Sequence, residues 1–309
     1  MIFEIVIPVF ALVMCGYGMA HTRLMPQAGV DGISNFVIYI AVPGLLFRAG
    51  ANLFDGSAID LDIWSAYFSG CAVVFFVTLF LSKRLFDIGL GERAVAGMGS
   101  SYGNTVMLGI PLALSLYGEH GVLLASTVIA INGMIYYSLV TTLIELGKGQ
   151  DAHLAVIFKR TLFALLTNPV VVPMACGVAW GASGWPLPNV LEVFLNHLSS
   201  AVGPTALFAL GGSMVQFRIA GDLQQVSFIL VMKMIAHPLV VWCLGFYVFE
   251  LAPVTLGVAT LLAALPTGVN TFMLARQHNV LVARAGSAVL LSTGIGVVSL
   301  PVVLKFIAG

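Results

Sequence analysis

Two short strings carry the side chains best suited to holding a small anion. They are Asn104-Thr105-Val106-Met107-Leu108 and Asn270-Thr271-Phe272-Met273-Leu274, the same N-T-x-M-L pattern in each half of the chain. Each asparagine offers two amide N–H donors and each threonine a hydroxyl, enough to bind a carboxylate without a full positive charge. Gly103, Gly109 and Pro111 surround the first string, and Pro266 and Gly268 precede the second. Proline removes a backbone donor and its ring clashes with the turn before it, while glycine weakens a helix, so neither segment suits an unbroken helix. A half-helix starting at either break would add unpaired N–H groups and a partial positive dipole end. A plainer role is open as well. The asparagines could satisfy carbonyls freed by the break, and Thr105 and Thr271 could bond back to their own helices. Pro111 and Pro266 would force and hold the break without touching a ligand.

Lys233 is the one basic residue deep inside an apolar segment. An ionised lysine at mid-membrane costs on the order of 3 kcal/mol, so it must face a cavity or a partner. His237 lies one turn further on the same face, and Pro238 follows it. The pair reads as an anion-attracting charge with a titratable neighbour able to carry a proton. It reads equally as a lysine bonded to carbonyls of a broken helix. Asn132 and Tyr137 share one broad side of another apolar segment, where a lone amide serves an interhelical hydrogen bond as readily as a ligand. No Asp or Glu lies at mid-depth, Glu145 being the nearest, so a carboxylate-built sodium or proton site has no candidate. Backbone carbonyls could still hold sodium.

Composition sets the class that must position these groups. The 309 residues are 60% apolar and 8% charged, with mean hydropathy +1.04, against about a quarter charged in soluble domains. A polytopic membrane protein follows, with the lipid bilayer as its surroundings. Zero net charge without a basic patch argues against nucleic acid. Cys15, Cys71, Cys176 and Cys243 lie in apolar segments without C-x-x-C spacing and read as buried small side chains, with no disulfide or metal. The six histidines contain no H-E-x-x-H pattern, and nothing suggests an enzyme, a cofactor or a metal.

Apolar stretches near 2–20, 34–52, 63–82, 94–117, 121–144, 166–184, 190–214, 226–249, 254–276 and 284–307 each approach the roughly 20 residues that cross a bilayer. They predict ten spans, the first of them a membrane helix and not a cleaved signal peptide. Loops are expected at Arg23 to Gly32, Lys83 to Arg93 and Lys148 to Arg160, with an amphipathic piece from His153 to Leu166 at the interface. Arg23, Lys83, Arg84, Arg93, Lys148, Lys159, Arg160, Arg218, Arg276 and Arg284 all lie in or beside odd-numbered connections. Asp55, Asp60, Asp62, Glu119, Glu192 and Glu250 mark the even ones. By the positive-inside rule the odd loops are cytoplasmic and both termini lie outside the cytoplasm.

The halves repeat. Pro8 with Cys15-Gly16 recurs as Pro169 with Cys176-Gly177, and Pro43 with Leu46-Phe47 as Pro204 with Leu207-Phe208, both at an offset of 161 residues. The N-T-x-M-L strings are offset by 166, as are Leu124-Ala125-Ser126-Thr127 and the similar Leu290-Leu291-Ser292-Thr293. Five spans per repeat is an odd number, so the expected fold is an all-α 5+5 inverted repeat. Residues 1–145 form the first repeat, 146–165 a cytoplasmic connecting loop and 166–309 the second repeat. Such folds place substrate near the midplane on discontinuous helices, here the fourth and ninth spans, crossing at their breaks. Gly211-Gly212 and Gly294-Ile295-Gly296 read as close helix packing.

Gly103 to Leu112, Ala264 to Gly268 in the ninth span, and Phe36 to Phe47 with its Ala41-Val42-Pro43 resemble the crossover and second-helix motifs of the auxin efflux carrier family. The resemblance runs over essentially the whole chain. It implies a ten-helix inverted repeat related to the bile-acid sodium symporters, with a support domain from helices 1, 2, 6 and 7 and a transport domain from helices 3–5 and 8–10. It also implies that Asn104 contacts a substrate carboxylate and that Asn132 and Tyr137 line the same pocket. Asn270-Thr271 replaces less polar residues of the plant pattern. The implied activity is secondary transport of a malonate-, malate- or auxin-like acid by alternating access, in a multi-pass protein of the bacterial cytoplasmic membrane. A sodium-coupled organic-anion symporter of the bile-acid type is the alternative, and a homodimer is left open.

Overall fold

The computed structural model describes residues 2–53, 62–148, 163 and 166–308. Among them run eleven helices and no strand: α1 (Ile2–His21), α2 (Gln27–Ala51), α3 (Asp62–Phe86), α4 (Leu90–Ser101), α5 (Thr105–Gly147), α6 (Val171–Ala182), α7 (Asn189–Gln216), α8 (Leu223–Tyr247), α9 (Pro253–Ala264), α10 (Val269–His278) and α11 (Val282–Ala308). Six of these, α2, α3, α5, α7, α8 and α11, are long and apolar enough to cross a membrane, and α6, α9 and most of α1 are shorter apolar helices.

The helices differ from the expected spans where glycine, proline or a capping residue intervenes. The expected fourth span is split between α4 and the start of α5, and the ninth between α9 and α10. The fourth and fifth are joined in α5 through Gly118, whose φ of 64° and ψ of −157° only glycine adopts easily. The loop expected at Arg23 to Gly32 is shorter, because Pro26 caps a helix that begins at Gln27. The one at Lys83 to Arg93 shrinks to residues 87–89, since Glu92 bonds back to the Gly89 N–H at 3.1 Å and starts α4 early. Most of the expected interfacial piece from His153 to Leu166 lies outside the described residues.

Three prolines share one local solution. Pro43, Pro111 and Pro238 each follow by two residues the end of a five-residue π-helical turn, at Val37–Ala41, Thr105–Gly109 and Met232–Ala236. The wider turn moves away the carbonyl that the proline ring would strike and that has no N–H to receive. The chain therefore continues helically through all three prolines. Pro111 stands beyond the break in its segment, not within it.

α1 packs on α7 and α2 on α6, and glycines set these crossings. A Cβ at Gly16 would overlap the Phe208 carbonyl, and one at Gly177 the Phe47 carbonyl. One at Gly211 would overlap Val13 O, and one at Gly50 would lie 2.7 Å from Met174 O. Each contact recurs with its partners exchanged at the offset of 161 residues. Gly16→Ala is expected to lower the apparent Tm by about 3–8 °C, from an overpacking cost of about 1–3 kcal/mol. Gly18→Ala, two residues along with no described residue within 4 Å of its Cβ position, should leave it unchanged or raise it. Thermal unfolding in detergent measures both.

Two packing expectations are corrected. Among the described residues Gly294 has nothing within 4 Å of a Cβ position, whereas Gly296 abuts Pro266 and Gly212 abuts Val30. Cys15 and Cys176 are exposed, Cys243 is half-buried and only Cys71 is buried. A small thiol is as acceptable against lipid as in the core, so an apolar context does not separate the two.

Candidate functional site

The two breaks cross each other. Residues 102–104 run antiparallel to residues 266–268: Asn104 N–H donates to Pro266 O and Gly268 N–H to Tyr102 O, each at 2.9 Å, bridging Gly103 and Thr267. Thr267 is held again, its N–H donating to Ser292 Oγ at 3.0 Å and its hydroxyl to Gly99 O at 2.8 Å. The backbone freed by each break is thus satisfied by the other, as apolar surroundings require. Gly103 and Gly268 allow the approach. A Cβ at Gly268 would lie 2.6 Å from the Tyr102 ring and 2.8 Å from Gly103 O, and one at Gly103 3.0 Å from Leu262 O.

The crossing sorts helix ends by sign. The N-termini of α5 and α10 open into a cavity of about 530 Å³ lined by Asn104, Thr105, Gly268, Asn270 and Tyr137 among others. Val106, Met107, Val269 and Asn270 occupy the first turns of these helices and also line it, and N–H groups in such positions lack intrahelical acceptors. The cavity reaches the surface at Asp31, the only charged residue of its described lining. Partial positive charge without a cation therefore defines its floor.

The expected site residues divide accordingly. Asn104 is 8% exposed, and among the described residues its side-chain amide makes no hydrogen bond. Asn270 donates through Nδ2 to the Tyr102 hydroxyl at 3.0 Å, so the two asparagines are not equivalent. Thr105 and Tyr137 line the cavity. Asn132 and Thr271 do not. Both are 1% exposed, and the Asn132 amide and Thr271 hydroxyl lack hydrogen-bond partners among the described residues. Gly109 faces the end of α9, where a Cβ would lie 2.9 Å from the Leu265 side chain. Pro266 contributes its carbonyl.

Lys233 and His237 lie behind the crossing, both fully buried. Lys233 Nζ donates to Ala263 O at 2.9 Å and sits 2.9 Å from His237 Nδ1, and His237 Nε2 is 3.3 Å from Cys71 Sγ. Tyr102 escaped the sequence reading, which took Thr267 only as part of a motif, Ser292 as part of a repeated string and Cys71 as a buried small side chain. Tyr102 adjoins Gly103 and Ser292 lies in a repeated string, but neither position says which backbone group it would meet.

Among the described residues an apolar, all-helical fold has two broken helices crossing beside a cavity that their N-termini face, the arrangement of a membrane transport protein. The chain is matched over residues 1–304 by the family model described as "Membrane transport protein", and it belongs to that family, which includes the auxin efflux carriers. It is 24% identical over 98% of its length to the "Putative malonate transporter" of Rhizobium meliloti (strain 1021), covering 95% of that protein. It is 23% identical over 99% of its length to auxin efflux carrier component 5 of Arabidopsis thaliana, covering 96% of it. An uncharacterised transporter of Methanocaldococcus jannaschii is 28% identical over 68% of each chain. The chain is accordingly a multi-pass membrane transporter.

Proposed function

We propose that this transporter is a secondary carrier of a small carboxylate anion, held where α5 and α10 begin and exchanged across the membrane by alternating access. The carrying observation is the Asn104 amide, free of hydrogen bonds among the described residues at the meeting of two helix N-termini. Asn104 and Thr105, with the N–H groups of the two first turns, bind the carboxylate. Tyr137 and Asn270 shape the cavity around the remainder of the acid. The name of the Rhizobium relative favours a short dicarboxylate such as malonate. The reciprocal glycine contacts of α1 with α7 and α2 with α6 support a ten-helix inverted repeat, in which those helices form the supporting domain. The positive-inside bias supports a cytoplasmic mouth for the cavity and both termini outside, in a bacterial inner membrane.

Purified protein screened by thermal shift against mono- and dicarboxylates, then assayed for uptake in proteoliposomes, tests the reading. One or more acids should stabilise the protein and be taken up saturably. Asn104→Ala should cut affinity at least about tenfold, the loss of one to two charge-assisted hydrogen bonds, while inserting and eluting as wild type. Stabilisation by organic cations and by no acid would sink the proposal.

A further inference from the structure

The face of the crossing opposite the cavity gathers the C-terminal ends of α4 and α9, whose last carbonyls carry partial negative charge. Lys233 and its neighbours tie these two ends together. The ammonium donates to Ala263 O in the last turn of α9. With His237 Nδ1 as acceptor from Lys233, His237 Nε2 carries a proton toward Cys71 Sγ, and the thiol donates at 3.7 Å to Ser101 O, the last residue of α4. Lys233, His237 and Cys71 each then donate to an acceptor. Among the described residues no carboxylate pairs with Lys233, since the ion pairs are Arg48–Glu119 and Arg284–Glu92. Lys233 Nζ is thus held by a carbonyl at one helix C-terminal end and linked through His237 and Cys71 to another, and carbonyls at such ends are where broken-helix carriers hold a coupling ion.

Lys233 is also close to the cavity floor. Gly103 lines the cavity on one side, and on the other a Cβ at Gly103 would stand 3.4 Å from Lys233 Nζ. One glycine therefore separates the anion cavity, which has no cation in its described lining, from Lys233 Nζ.

We propose that the Lys233 ammonium is a tethered counter-cation: it occupies the crossing's cation position, attracts the carboxylate through Gly103, and makes transport independent of sodium. This rests on the carboxylate reading above. Lys233 is a positioning residue, acting on the anion through the crossing and not by contact.

The test is uptake of labelled malonate, as the probe dicarboxylate, into proteoliposomes with sodium or choline as the external cation. Wild-type uptake should be equal in the two. Lys233→Met, which keeps the length and loses the charge, should raise KM at least tenfold with maximal rate and elution profile retained. Lys233→Ala, which vacates the position, should regain affinity on addition of sodium or methylammonium, a readout that a purely structural role would not move. Wild-type uptake that requires sodium would overturn the proposal whether or not the variants fold, and so would an unchanged KM in Lys233→Met. If neither malonate nor any other mono- or dicarboxylate is taken up in either salt, the carboxylate reading itself fails and this proposal with it. Sodium-dependent carboxylate uptake overturns this proposal alone.

Discussion

Gly268→Ala is expected to reduce carboxylate uptake at least about tenfold, while Gly294→Ala in α11 leaves it at the wild-type level. The two glycines lie in the same half of the chain, and the difference between them is space. At Gly294 an added Cβ meets no described residue within 4 Å, whereas at Gly268 it would lie 2.6 Å from Tyr102 Cδ1 and 2.8 Å from Gly103 O. Conformation is not the obstacle, because Gly268 has φ −68° and ψ 138°, open to any residue. Relief requires the Tyr102 ring to turn away, giving up its bond from Asn270, or the antiparallel pair at Gly103 and Thr267 to part. Either change separates the N-termini of α5 and α10, whose joint aim defines the site. An overpacking cost of about 1–3 kcal/mol at that point corresponds to about 5- to 150-fold in the population of the intact crossing. Uptake rates normalised to reconstituted protein, with size-exclusion profiles as the folding control, decide it. Equal rates for the two variants would show that the crossing tolerates separation.

Reversal of either charge in the Arg48–Glu119 pair should slow uptake at least about tenfold, and the double reversal Arg48→Glu with Glu119→Arg should restore most of it. Arg48 lies in the last turn of α2 and Glu119 follows Gly118 in α5, and Asn52 Nδ2 adds a weak bond to Glu119 at 3.4 Å. Asp31 at the cavity mouth lies near the start of α2 and Arg48 in its last turn, so the pair joins α2 to α5 on the side away from that mouth. α10 runs from the crossing toward that mouth, ending at His278, whose carbonyl accepts from Lys148. A carrier working by alternating access must part such a contact in each cycle and remake it. The side chains are 16% and 34% exposed, so water screens the pair incompletely. Two like charges there repel by about 1–4 kcal/mol between aqueous and surface-protein dielectrics, enough to shift a two-state balance by tenfold or more. Kinetics of the four charge combinations form a double-mutant cycle. Additive single effects without rescue would reduce the pair to surface decoration.

The legible part of the site was local. Glycine, proline and asparagine inside an apolar segment oppose a continuous helix through the backbone alone, so both breaks could be placed before any contact was known. The position within each segment was less clear, because Pro111 is the stronger breaker by propensity, yet a π-helical turn accommodates it and the chain opens instead at residues 102–104. Asn104, Thr105, Tyr137 and Asn270 line the cavity as expected, but Asn132 and Thr271 are buried outside it. A periodicity identifies the side of a helix a residue occupies. It does not identify the neighbour on that side.

By itself the sequence determined the membrane class, the offset that relates the halves, and the two breaks with their anion-compatible side chains, since these follow from backbone chemistry and the cost of polar groups in lipid. Only the tertiary structure decided which carbonyl each freed N–H would find, that Tyr102 would occupy Asn270 and leave Asn104 free, and that Lys233 would lie behind Gly103. It also decided which glycines and cysteines face inward. Lipid and protein interior are equally apolar, so no hydrophobic contrast along the chain tells one side of a membrane helix from the other, and contacts between residues far apart in sequence must settle it.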